Sequence, residues 1–138
     1  MLKIGYLVIC EDIIIENNQI SIRRPFSALT PLNLPGNFSF KVAFSLHNLT
    51  KENFGEENTL KIEIKDSNDK TVVDTGNLNL QTNPRNKPET SRVEIAEADM
   101  TFNNIELYSE GIYTLTLYVN EENKELKIPV IVRKHIDG

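Results

Sequence analysis

The chain is 138 residues long with 15 Lys and Arg against 20 Asp and Glu, a net charge of −5, one Cys and no Trp. That length carries one domain, residues 1–138, able to bury a core without metal or disulfide staples. The acidic balance argues against phosphate-neutralising nucleic-acid binding, no run approaches the ~20 apolar residues of a membrane span, and a lone Cys offers no internal disulfide, which sets the expectation of a cytoplasmic protein.

At the N-terminus, Lys3 precedes an apolar run from Ile4 to Ile9. The run is too short for a secretory core and Ile9 is not the small residue of a cleavage site, so it reads as a strand covered on both sides. Ile13 to Ile15 and Ile20 to Ile22 flank Glu16-Asn17-Asn18-Gln19, the pattern of a hairpin. The connector from Pro25 to Pro35 is expected to run extended, partly packed, as a crossover between sheets.

From Phe38 the period is two. Phe38, Phe40, Val42, Phe44 and Leu46 alternate with Ser39, Lys41, Ala43, Ser45 and His47, placing the large apolar groups on one pleated face. Leu60, Ile62 and Ile64 alternate with lysines and Glu63 until the turn formers Asp66-Ser67-Asn68-Asp69. Val72 and Val73, then Leu78 and Leu80, read as the returning strand, broken near Gly76 by a bulge or bend. Val93 and Ile95 begin another candidate strand, overlapping the best helical candidate, Ile95 to Met100. Tyr113, Leu115, Leu117 and Val119, the turn Asn120-Glu121-Glu122-Asn123, and then Leu126, Ile128, Val130 and Val132 form a last hairpin. Pro129 removes one backbone donor and places the final strand at or near an edge.

About seven to nine strands with turns between them predict an all-β fold, a two-sheet antiparallel β-sandwich, with a small closed barrel as competitor. Gly111-Ile112-Tyr113 resembles the tyrosine corner of immunoglobulin-like domains, although their paired cysteines and core Trp are absent. An apolar strand ending in Cys10-Glu11-Asp12, the isoleucine hairpin, the proline-spaced connector, the Phe38 strand and the Gly111-Ile112-Tyr113 hairpin together resemble a group of small bacterial β-sandwich proteins. That resemblance implies the fold and no site residue, because the group carries no assigned activity.

Chemistry is sought by exclusion. The two histidines, His47 on the polar phase of its strand and His135 near the end, offer no oriented base for a Ser or Cys nucleophile. Cys10 reads as a small buried hydrophobe. One Cys and two distant His make no usual zinc site, and Asp66 to Asp69 lack the spacing of a calcium loop. Glu89, Glu94, Glu97, Asp99, Glu106 and Glu110 give one region an acidic surface in which no pair is singled out for glycoside chemistry. Six scattered glycines build no phosphate cradle. No catalytic residue, metal or cofactor is therefore expected.

What remains is surface. Residues 81–90 contain no apolar side chain, and Asn83, Arg85, Asn86 and Lys87 within them make a small basic spot suited to a partner. Phe54, in a second polar loop, is a candidate anchor. The expectation is a non-catalytic protein-binding or assembly module acting through loops or an exposed β edge, the last strand or the Ile13 hairpin, with self-association compatible with it. A carbohydrate- or calcium-dependent ligand module and an unrecognised hydrolase are the alternatives. The abundance of Asn (16 residues) and Ile (15) suggests a bacterial or phage source.

Overall fold

The computed structural model describes residues 3–17, 19–49, 58–80 and 94–133. They form the strands β1 (Lys3–Glu16), β2 (Gln19–Pro25), β3 (Gly36–Leu49), β4 (Asn58–Lys65), β5 (Thr71–Asp74), β6 (Leu78–Leu80), β7 (Glu94–Leu107), β8 (Gly111–Val119) and β9 (Glu122–Val130), with no helix among the described residues. One sheet has the order β2-β1-β3-β7; the other has the order β5-β4-β8-β9, with β6 also paired to β4. All these pairings are antiparallel. The result is the two-sheet sandwich and not the competing closed barrel.

The alternating residues build the core. From β3 come Phe40, Val42, Phe44 and Leu46; from β4, Leu60, Ile62 and Ile64; from β8, Tyr113, Leu115, Leu117 and Val119; all are buried in one cluster. Burying a full aliphatic or aromatic side chain contributes about 1.5 to 3 kcal/mol, so the cluster is the main source of stability. Turn chemistry sets the ends. Asp66 Oδ1 accepts from the amides of Asn68 at 2.8 Å and Lys70 at 2.9 Å, which closes the β4–β5 turn. Gly76, at φ +68°, breaks the returning strand into β5 and β6, as expected. Tyr113 donates its hydroxyl to the carbonyl of Ser109 at 2.8 Å, pinning the entry to β8.

The structure corrects the expectations for β1 and for the connector. β1 is not covered on both sides: Leu7 and Ile9 enter the core, while Val8 lies half-exposed on the outer face. On the face of β3 opposite the core, Ala43 and Ser45 are also buried. Of the two readings open for Ile95 to Met100 the strand holds: it belongs to β7, a strand of 14 residues. Ala and Glu favour a helix by up to ~0.7 kcal/mol per residue, but a long ladder to β3, from Gly36↔Leu107 to Leu49↔Glu94 with register shifts between Phe38 and Phe40 and between Leu46 and Leu49, overrides that preference. Finally, the connector joins β2 to β3 within one sheet. It touches the other sheet in passing, through the amide of Leu29 to the carbonyl of Pro129 at 2.9 Å and that of Ile131 to Leu29 at 3.0 Å.

Candidate functional site

The outer face of the four-stranded sheet gathers most of the polar groups with chemical potential. A register shift between Ile4 and Leu7 turns the Gly5-Tyr6 peptide toward β3, where the Tyr6 amide donates to Ser45 Oγ at 2.9 Å. Ser45 Oγ lies 3.1 Å from His47 Nε2. This Ser–His contact is one the sequence reading did not find, although the i, i+2 spacing on one strand face makes it possible. It is a clamp on the bulge and not a nucleophile with its base: Ser45 is 1% exposed, and one lone pair of its oxygen is taken by the Tyr6 amide. Tyr6 donates its hydroxyl to Glu97 Oε2 at 2.6 Å; burial and that carboxylate push the phenol well above its ordinary pKa, so it stays protonated.

Cys10 lies on the same face, fully buried, with Lys41, Asp12 and Asp99 nearby. Burial pushes its thiol up, and the opposing pull of Lys41 does not cancel it. Asp12 is held below the usual carboxylate range by the Ile13 amide at 2.8 Å and by Lys41 at 3.5 Å. A thiol that is both covered and reluctant to ionise should react with a disulfide reagent only as fast as the chain opens. Labelling at neutral pH is therefore expected to be slow in buffer and complete in denaturant; rapid labelling of the folded chain would place Cys10 at an open surface.

The sheet edges differ sharply. β9 is an edge strand, as Pro129 suggested, and the connector bonds the end of that edge, at Pro129. Near the start of the strand two side-chain contacts tie it to β1: Lys124 Nζ reaches the carbonyl of Gly5 at 2.7 Å and Lys3 pairs with Glu122 at 2.9 Å. β5 and β6, at the opposite margin of that sheet, are only 4 and 3 residues long. In the four-stranded sheet, β2 and β7 are the outer strands, and no strand pairs with their free sides among the described residues. β7 turns Glu97 and Asp99, both exposed, to the outer face, and β2 turns exposed Arg23 to the same face. Beyond the Cys10↔Lys41 pair, the backbones of β1 and β2 pair only with each other among the described residues and form an arm, with Ile15 66% exposed near its tip.

A second surface lies at the end of the sandwich where β7 meets β8. An open depression of about 500 Å³ is lined by Asn33, Pro35, Gly36, Asn37, Glu106 and Tyr108. Its carboxylate, Glu106, accepts the hydroxyl of Tyr108.

The candidate loop residues Asn83, Arg85, Asn86 and Lys87 and the candidate anchor Phe54 lie outside the described residues, as does His135. The strand ends that bound those two loops are paired, Leu49 with Glu94 and Asn58 with Leu80, at one end of the sandwich. From the sequence, the acidic groups form an acidic surface in which no pair is singled out. The register instead places Glu97 and Asp99 side by side on the free strand β7, a pattern visible only once 94–107 is read as a single strand.

The profile of the family of unknown function DUF6941 matches residues 5–133. No curated protein matches the chain. Among solved structures, the alkylpurine DNA glycosylase AlkC of Pseudomonas fluorescens, bound to DNA containing an abasic site analog, superposes with a TM-score of 0.51 at 9% identity, over 95% of this chain and 30% of that one. A beta-glucosidase from Listeria innocua in complex with gluconolactone gives a TM-score of 0.45 at 10% identity, over 95% of this chain and 16% of that one. The chain thus spans less than a third of either protein, and the first likeness concerns the fold alone.

Proposed function

We propose that this chain, which belongs to the family of unknown function DUF6941, is a non-catalytic protein-binding or assembly module whose binding element is the free edge of β7. One observation carries the reading. β7 runs for 14 residues and is bonded only to β3 among the described residues, whereas β9 is 9 residues long with its end bonded by the connector at Pro129, and β5 and β6 are short. A long unpaired edge is a template for another strand, and main-chain hydrogen bonds supply affinity there. The immunoglobulin-like character of the sandwich is supported by the Tyr113 bond to Ser109, a cytoplasmic setting by the free thiol of Cys10, and a bacterial or phage source by the abundance of Asn and Ile.

The test pairs capture with hydrogen exchange. Immobilised wild-type chain should retain a protein from bacterial lysate, or a further copy of itself, and the bound state should slow exchange of the β7 amides. Asp99→Lys alters an exposed side chain, so it should leave stability within about 0.5 kcal/mol while reducing capture. Capture that leaves β7 exchange unchanged, or folded bait that retains nothing and does not self-associate, would overturn the reading.

A further inference from the structure

We infer that the strand received by β7 is β2 of a second copy of this chain, so that molecules join head to tail into one continuous sheet; the inference rests on the edge-binding reading above.

Strand direction permits it without rearrangement. In the order β2-β1-β3-β7 every neighbour is antiparallel, so β2 and β7 run in opposite directions. A copy displaced sideways, with the twist of the sheet, therefore brings its β2 antiparallel to β7. The usable part of β2 is Gln19–Arg23, because Arg24 has φ +51° and Pro25 lacks an amide proton.

Charge selects this pairing over the others. Arg23 projects from β2 on the outer face, and Glu97 and Asp99 project from β7 on that same face. Among the described residues, neither Arg23 nor Asp99 has an ion-pair partner within 4 Å. A two-fold contact of β7 with β7, or of β2 with β2, joins outer faces charged alike, by Glu97 and Asp99 on β7 and by Arg23 on β2; it gains no unlike pair, and any register that sets two of these groups directly opposite is destabilised. The heterologous pairing opposes unlike charges.

The apolar face agrees with the same register. Side-chain alternation allows only registers that keep outer face with outer face. If Arg23 faces Glu97, then Ile22 faces Ala98 and Ile20 faces Met100; if Arg23 faces Asp99, then Ile22 faces Met100 and Ile20 faces Phe102. In either case the half-buried isoleucines of the arm meet the core-facing side of β7. A contact of this kind uses different surfaces on its two sides, so it propagates unless the rotation per copy closes a ring.

Sedimentation of the full chain over a wide concentration series tests this. The average mass should rise past two chains. Asp99→Lys should weaken association about tenfold, and so should Arg23→Glu, since each replaces an unlike pair by a like one. Asp12 stands opposite Arg23 in β1, so Arg23→Gln serves as a second variant if the reversal loosens the hairpin. Mixing Asp99→Lys with Arg23→Glu chains should restore association, because each variant carries the charge that the other now lacks. Three results would overturn the inference: a plateau at two chains, association unaffected by either substitution, or a folded chain that stays monomeric throughout. If the chain is monomeric but a foreign protein still slows β7 exchange, the edge-binding reading survives without this partner; if nothing protects β7, both fail.

Discussion

Phe40→Ala is expected to cost about 3 to 5 kcal/mol of unfolding free energy, and Leu117→Ala, in the facing sheet, about 2 to 5 kcal/mol. Phe40 is 2% exposed and stacks on Phe102, its register partner in β7, with ring centroids 5.5 Å apart. Truncation removes the ring from the core and leaves a cavity between β3 and β7 that a backbone held by hydrogen bonds on both sides of β3 cannot collapse. Leu117 is fully buried in β8, whose two neighbours, β4 and β9, restrain it in the same way. Denaturant midpoints, with the slope checked for constancy, measure both. A loss near zero for either would mean that the alternation of that strand has been assigned to the wrong face. Phe40→Ala also bears on binding, because the Phe40–Phe102 stack helps hold β7 flat against β3 where the free edge lies.

The alternation of Phe40, Val42, Phe44 and Leu46, and of Leu60, Ile62 and Ile64, made the sandwich legible, because a half-buried strand must separate its two faces at every second residue. β7 was less legible. Its glutamates and alanines carry no β preference, and only the ladder to β3 fixes 94–107 as one strand. Its acidic row then had no place in the fold from sequence alone, nor did Arg23, because facing directions across a sheet depend on strand order and not on spacing. The contacts of β9 were invisible for the same reason: Pro129 announces an edge strand, but that the connector bonds its end and Lys124 ties it to β1 is a tertiary fact. Cys10 was read correctly as buried, though it lies on the outer face of the sheet and not in the central cluster.

Gly5→Ala should be the most damaging small change outside the core, with an expected cost of about 2 to 4 kcal/mol. A Cβ at this position would lie 2.2 Å from Ser45 Oγ and 2.3 Å from His47 Nε2, well inside contact distance. Two responses are open to the chain, and neither is cheap. Rotating Ser45 away strands the Tyr6 amide, whose bond to Ser45 Oγ closes the bulge. Pushing β1 away from β3 strains the ladder on either side of the Ile4/Leu7 shift and pulls the Gly5 carbonyl from Lys124, which loosens the tie between β1 and β9. Because the cost arises from two specific side chains, it should be strongly non-additive. In a background carrying Ser45→Ala and His47→Ala, the added Gly5→Ala change should cost about 1 kcal/mol or less, since the space it needs has been cleared. Unfolding of the single, double and triple variants in urea decides the point. Equal cost in both backgrounds would mean that Gly5 is required for its backbone freedom and not for the close approach of β1 to Ser45 and His47; such an outcome would remove the clamp as the reason the N-terminal strand bulges where it does.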